Sequence, residues 1–163
     1  MKSSTNPRQP IASGDIVDSK TRSRMMAAVS QKDTKAELAV RKILYALGVH
    51  YRIRNRDLPG SPDIANRSSK WAIFVNGCFW HGHKNCEKTK SASISRVPKT
   101  RAEFWARKFA ANRLRDAKKC RELRRMRYRV LIIWECELFN ADEVELRLRK
   151  FCINSQHAHG TDY

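Results

Sequence analysis

No stretch of this chain stays apolar for long. Its longest uninterrupted hydrophobic runs, such as Val130-Leu131-Ile132-Ile133-Trp134, are strand-sized and fall far short of a bilayer span. The opening residues, Met1-Lys2-Ser3-Ser4-Thr5-Asn6-Pro7, lack the apolar core that a secretory signal needs. No segment sets a long apolar face against a basic one, which argues against a membrane-surface role. Acidic residues are scarce: 16 Asp and Glu stand against 34 Lys and Arg, a net charge of +18 over 163 residues. Such an excess calls for a polyanionic partner, and nucleic acid is the commonest one. There is no internal repeat, and the length suits one domain that buries a core without covalent staples.

The cysteines are Cys78, Cys86, Cys120, Cys136 and Cys152, an odd number unevenly spread. In a chain without an export signal they are expected to be reduced thiols in a cytoplasm. Metal, rather than a disulfide, is then the expected use of the close pair Cys78 and Cys86. Cys120 and Cys152 fall in helical patterns and are expected in the core.

Residues 1–20 are polar, with Pro7, Pro10 and Gly14, and read as a flexible tail. The domain runs over 21–152, and the patternless residues 153–163 form a second flexible tail. Thr21-Arg22-Ser23-Arg24-Met25-Met26-Ala27-Ala28-Val29 reads as a short helix with basic side chains in reach of a phosphate backbone. Thr34-Lys35-Ala36-Glu37 is a capping-box pattern, and Glu37, Val40, Leu44 and Leu47 keep helical spacing until Gly48. Strands are expected at 49–54, 62–65 and 70–75, separated by the turns Asp57-Leu58-Pro59-Gly60-Ser61 and Asn66-Arg67-Ser68-Ser69. A polar linker covers 88–99. Thr100-Arg101-Ala102-Glu103 then opens a long helix to about Met126, followed by a strand over 128–135 and a helix capped by Asn140 that ends near Cys152. The order predicts an α/β fold, a single sheet with helices on both faces.

Chemistry concentrates in Val75-Asn76-Gly77-Cys78-Phe79-Trp80-His81-Gly82-His83-Lys84-Asn85-Cys86, directly after an expected buried strand. Cys78, His83 and Cys86 have the spacing C-x4-H-x2-C, three corners of a tetrahedral zinc site. If the 128–135 strand lies beside the 70–75 strand, Cys136 leaves the sheet at the same end as Cys78 and supplies the fourth. Spacing alone leaves open whether His81 or His83 is the ligand; the other imidazole is then free to take a proton from water. Asp63 follows Pro62 at a strand start, a fixed carboxylate of the hard-oxygen type that magnesium prefers, although on Pro-Asp alone a turn-stabilising role is the plainer reading. Glu37 is accounted for by the capping box. Between Arg96 and Arg129 there are 14 Lys and Arg. These neutralise phosphates, while Phe79, Trp80 and Trp105 either stack on bases or pack in the core.

Several of these motifs occur together in one order. They are Thr21-Arg22-Ser23, Asp33-Thr34 with Glu37, Leu58-Pro59-Gly60-Ser61-Pro62-Asp63 and Gly77-Cys78-Phe79-Trp80-His81. Val97-Pro98-Lys99-Thr100-Arg101 follows with Glu103-Phe104-Trp105, then Arg129-Val130-Leu131-Ile132-Ile133-Trp134-Glu135-Cys136. From about Ser19 to Cys152 the chain resembles the very short patch repair (Vsr) DNA mismatch endonucleases of bacteria. The resemblance implies a type II restriction-endonuclease-like fold, with one mixed sheet flanked by helices. It also implies a Mg²⁺-dependent nick 5′ of the thymine in a T·G mismatch left by deamination of 5-methylcytosine.

Under this resemblance Asp63 binds Mg²⁺ with the backbone carbonyl of Val75, His81 is the general base or positions water, and Glu37 orders water at the metal. Structural zinc uses Cys78, His83, Cys86 and Cys136. Phe79, Trp80 and Trp105 form a wedge next to the mismatch, Asn112 reaches DNA, and Arg22 and Met26 are further DNA-contacting candidates. A monomer acting on double-stranded DNA in a bacterial cytoplasm, associated with the nucleoid, is expected, with mismatch-repair and repair-polymerase proteins as partners. The rival from another class is a zinc-stabilised DNA-binding protein without catalysis.

Overall fold

The computed structural model describes residues 33–83, Cys86 and residues 102–153, together with Thr21 and Arg24. Arg22, Met26, residues 1–20, the 88–99 linker, Thr100, Arg101 and residues 154–163 lie outside the described residues. Helix α1 spans Lys35–Ala46, with Thr34 as its N-cap accepting the backbone N–H of Glu37. Strands β1 (Ile64–Asn66) and β2 (Trp71–Asn76) follow. The long helix α2 is Ala102–Arg125, and β3 is Arg129–Trp134. A 3₁₀ turn over Glu135–Phe139 leads into α3, Ala141–Cys152, capped by the Asn140 side chain on Glu143 N–H. Among the described residues no helix is long and apolar enough to cross a membrane.

Among the described residues the sheet has three strands in the order β1-β2-β3; β1 and β2 are antiparallel, β2 and β3 parallel. Alternation along the strands sorts the side chains between two cores. Ile64, Trp71, Ile73 and Ile133 face α1 and α3, meeting Val40, Leu44, Val144, Leu148 and Cys152. Ala65 and Ala72, with Phe74 and Val130, face the other way and meet Leu58, Leu123 and Tyr128. Helices therefore cover both faces, α1 and α3 on one and α2 on the other. Cys152 belongs to the first core, and Cys120 is buried as well.

One expected strand does not form. Within 49–54 only Arg52 pairs, through a single antiparallel bridge to Ala65, and Arg54 takes a φ of 61° that breaks the extended run. Alternation at 49–54 reflects partial burial of Val49 and Tyr51 against the first core, not a ladder. The other strands shift by a residue or two. Lys70, at φ 51°, belongs to the turn before β2, and Glu135 opens the 3₁₀ turn.

The register places the site. Asn76 pairs with Trp134, the last residues of two strands running the same way. Cys78 and Cys136 thus leave the sheet at one end, two residues beyond the last pair. Glu137 holds that exit: one carboxylate oxygen accepts Trp134 N–H at 2.8 Å, and the other pairs with Arg147 at 2.7 Å.

Candidate active site and metal centre

The loop after β2 coils over the sheet end through a run of tight turns. His81 N–H donates to Gly77 O, Gly82 N–H to Phe79 O and His83 N–H to Cys78 O. Gly82 sits at φ +58°, and a Cβ there would come within 3.0 Å of Phe109, so both backbone shape and close packing on α2 require glycine. Asn112 of α2 donates its side-chain N–H to Trp80 O at 2.6 Å, pinning the loop to the helix.

The left-handed residue between the two histidines sends them to different partners. His83 turns toward the thiols: its Nδ1 is 3.3 Å from Cys136 Sγ, and its ring stacks on Trp134 at 4.1 Å with parallel planes. Ligand atoms of Cys78, His83, Cys86 and Cys136 all lie within 4.8 Å of one another. The three cysteines are buried, and burial raises the Cys78 thiol to about 12 while lowering His83 below its ordinary value. A neutral imidazole with three thiols that ionise only when a cation compensates is the donor set of a soft or borderline metal, without a vacant corner.

His81 turns to the opposite side. Its Nδ1 is 2.6 Å from Asp116 Oδ2 on α2. With the Nδ1 proton directed at a carboxylate, Nε2 becomes the accepting nitrogen. Asp116 was not singled out by the sequence reading. The available signal was its position as one of three acids, with Glu103 and Glu122, inside a basic helix.

Asp63 enters from the start of β1, and its Oδ2 accepts the Val75 N–H at 2.8 Å. Burial, and after it the charge of Glu37, raises its carboxyl to about 6 despite that hydrogen bond. Glu37 is buried; its oxygens accept from the Thr34 hydroxyl at 2.9 Å and from Asp33 N–H at 3.1 Å. It caps α1 and also lines the same cleft as Asp63. That cleft, about 720 Å³, is bounded by Glu37, Asp63, Val75, His81 and Asp116 among others, with Trp80 at its wall.

The aromatic residues form a cluster behind the loop. Phe79 contacts Trp80, Trp105 and Phe109 edge-on at 5.0, 5.1 and 5.9 Å. Trp105 is only 6% exposed and sits in the interior of this cluster, whereas Phe79 and Trp80 are half-buried. Of the three rings expected at a DNA stack, Phe79 and Trp80 retain open surface, and Trp105 supports them.

A half-buried acid, a carboxylate-held imidazole and a strongly basic chain together form the equipment of a phosphodiester-cutting enzyme. Residues 14–88 match the family model described as DNA mismatch endonuclease Vsr. The type II nicking enzyme V.XorIIP of Xanthomonas oryzae pv. oryzae is 39% identical over 135 residues, 83% of this chain and 94% of that relative. The type II nicking enzyme V.NmeAIP of Neisseria meningitidis is 37% identical over 136 residues, 83% of this chain and 92% of the relative. DNA mismatch endonuclease Vsr of Escherichia coli K12 is 38% identical over 124 residues, 76% of this chain and 75% of the relative. The chain belongs to the Vsr DNA mismatch endonuclease family and is an endonuclease. Its mixed sheet between helices is consistent with the restriction-endonuclease-like architecture of that family.

Proposed function

We propose that this chain nicks one strand of double-stranded DNA on the 5′ side of the thymine in a T·G mismatch arising from 5-methylcytosine deamination. The reading is of a Mg²⁺-dependent cytoplasmic monomer that opens a very short patch repair step, upstream of mismatch-repair and repair-polymerase proteins. The observation that carries it is the meeting, in one cleft, of half-buried Asp63 with the His81–Asp116 pair.

Asp63, with the carbonyl of Val75 and with Glu37 nearby, offers hard oxygen donors of the kind Mg²⁺ takes, few in number and partly open to water. When bound, the ion supplies polarisation of phosphorus and stabilises charge on the leaving oxygen. His81 holds a water through Nε2 and takes its proton as the water attacks phosphorus; Asp116 keeps the imidazole in the tautomer that can do so. Glu37 orients water from the α1 side. Cys78, His83, Cys86 and Cys136 hold structural zinc, which fixes the loop that carries His81. Phe79 and Trp80, backed by Trp105, favour a mismatch because a wobble pair is already weakly stacked and costs less to open. Asn112, bonded to the Trp80 backbone carbonyl, holds the loop that carries that ring and belongs to the DNA-contacting set. Arg22 and Met26 belong to the DNA-contacting set as well.

The test is a nicking assay on T·G and matched duplexes, with Mg²⁺ or with EDTA. Wild type should cut only the mismatched duplex and only with Mg²⁺. Asp63→Ala should abolish cutting while keeping zinc content and fold. Full activity in that variant would sink the mechanism, and equal cutting of matched duplex would sink the mismatch reading.

A further inference from the structure

The lysines of the cleft have no part in the chemistry described so far. Lys119 lies one helical turn beyond Asp116 on α2 and lines the cleft together with Asp63 and His81. Its stem is held flat against the turn that precedes Asp63. A Cβ built on Gly60 would fall 2.6 Å from Lys119 Cδ and Cγ and 2.8 Å from its Cβ, and Gly60 itself sits at φ +75°. Only glycine admits the lysine at this point, so the side chain is fixed along its length and the ammonium alone extends.

That ammonium is 3.5 Å from Asp116 Oδ1, the oxygen not bonded to His81, and the two side chains are 37% and 20% exposed. A pair this long and this wet contributes little to stability, roughly 0–1 kcal/mol. A lysine ammonium carries several donors, and the pair with Asp116 does not use them all. Charge balance gives the rest a use. Glu37, Asp63, Asp116 and Glu135 line the cleft, against Lys35, Lys108 and Lys119, and Arg41 pairs with Glu37 at 3.2 Å. A phosphodiester brought between Asp63 and His81 adds negative charge to a wall already rich in carboxylates. Of the lysines lining the cleft, Lys119 is the one paired with Asp116, the carboxylate that holds His81.

We propose that Lys119 is a phosphate-binding residue, its ammonium holding a non-bridging oxygen of the cut phosphodiester or of the one adjoining it. This rests on the reading of the cleft as a DNA-cutting site. It assigns the His81 side of the phosphate to a protein cation and the Asp63 side to the metal.

The test uses the full chain and Lys119→Met, which keeps the stem on Gly60 and removes the charge, with Lys119→Arg as the charge-restoring variant. Duplex binding is measured in EDTA over a salt series and with single neutral methylphosphonates placed around the cut position. The Met variant should bind about tenfold more weakly, with a salt slope shallower by about one. The Arg variant should recover most of both. The Met penalty should vanish on a duplex neutralised at the cut phosphate or its neighbour and persist on the others. An unchanged affinity and slope would overturn the proposal, as would a penalty equal on every neutralised duplex. Zinc content and melting temperature identify any variant that fails to fold, in which case Lys119→Gln replaces it. Wild type that never nicks DNA overturns the parent reading; wild type that nicks beside an unaffected Met variant overturns Lys119 alone.

Discussion

Two clusters of donors grow from the same end of the sheet, and they differ in almost every physical respect. The Cys78, His83, Cys86, Cys136 corner is soft, buried and complete, with its ligand atoms within 4.8 Å of one another. The Glu37, Asp63, Val75 cleft is hard, oxygen-based and open enough to admit a substrate. Softness and geometry suit the two to different ions: thiolates select zinc-like metals, and few carboxylates with room for water select magnesium. The loop between them serves both, sending His83 to one side and His81 to the other through the left-handed turn at Gly82. Rigidity is thus built next to reactivity, with the first holding the residues of the second in place.

The sharpest way to break this comparison is to remove a thiol. Cys136→Ser should reduce bound zinc from one equivalent to a small fraction and lower stability by about 3 kcal/mol or more. Nicking should disappear with it, because the loop carrying His81 loses its anchor. Zinc release and thermal unfolding measure the first two, and the T·G assay the third. A Cys136→Ser protein that keeps its metal and its melting temperature would show that the four residues do not act as one site. Since burial raises the Cys78 thiol to about 12, that thiol is protonated near neutrality in the metal-free protein, so zinc loading should also release protons into a weakly buffered solution.

The thiol corner was more legible in the sequence than the cleft. Local spacing gives Cys78, His83 and Cys86, and strand adjacency brings in Cys136, because residues two past the end of parallel neighbours must meet. Spacing could not choose between His81 and His83, since the choice is made by one backbone dihedral at Gly82. Helix α1 was readable because capping is local chemistry; the false strand at 49–54 was not, because Arg54 breaks the alternation by conformation rather than by composition. Asp116 stayed hidden for a different reason. It lies 35 residues from His81, and only the packing of α2 against the loop brings them to 2.6 Å. In a helix otherwise full of lysine and arginine it passes for a local exception to the charge.

Asp116 supplies the next and smaller test. Asp116→Asn keeps the shape but offers an amide where a carboxylate held the Nδ1 proton, so the imidazole settles in the wrong tautomer more often. The rate at saturating substrate should fall by about 10²-fold or more, with KM within a few-fold of wild type and zinc unchanged. A lost KM with an intact rate would make Asp116 a binding residue instead. An intact rate and KM would leave His81 without need of an orienting partner.

The smallest effect separates the two clusters by their response to acid. Asp63 is held near 6 by burial and by the charge of Glu37, against an ordinary value of 3.8. Its folded-state carboxyl therefore binds a proton more tightly than the unfolded one, so stability falls as pH rises from about 4 to about 6 and then levels off. In magnesium-free buffer, Asp63→Asn should abolish that slope. The variant should match wild type near pH 4 and exceed it by about 2 kcal/mol at about pH 7.5, read by urea unfolding. Asparagine still accepts the Val75 N–H, so the difference isolates the charge. Added Mg²⁺ should stabilise wild type and leave the variant unmoved, because only a carboxylate gives the ion its ligand. A variant less stable than wild type at neutral pH would mean that Asp63 serves the fold. A variant more stable means that the fold tolerates a half-buried negative charge there, and a charge kept at the expense of stability is kept for the ion it can bind.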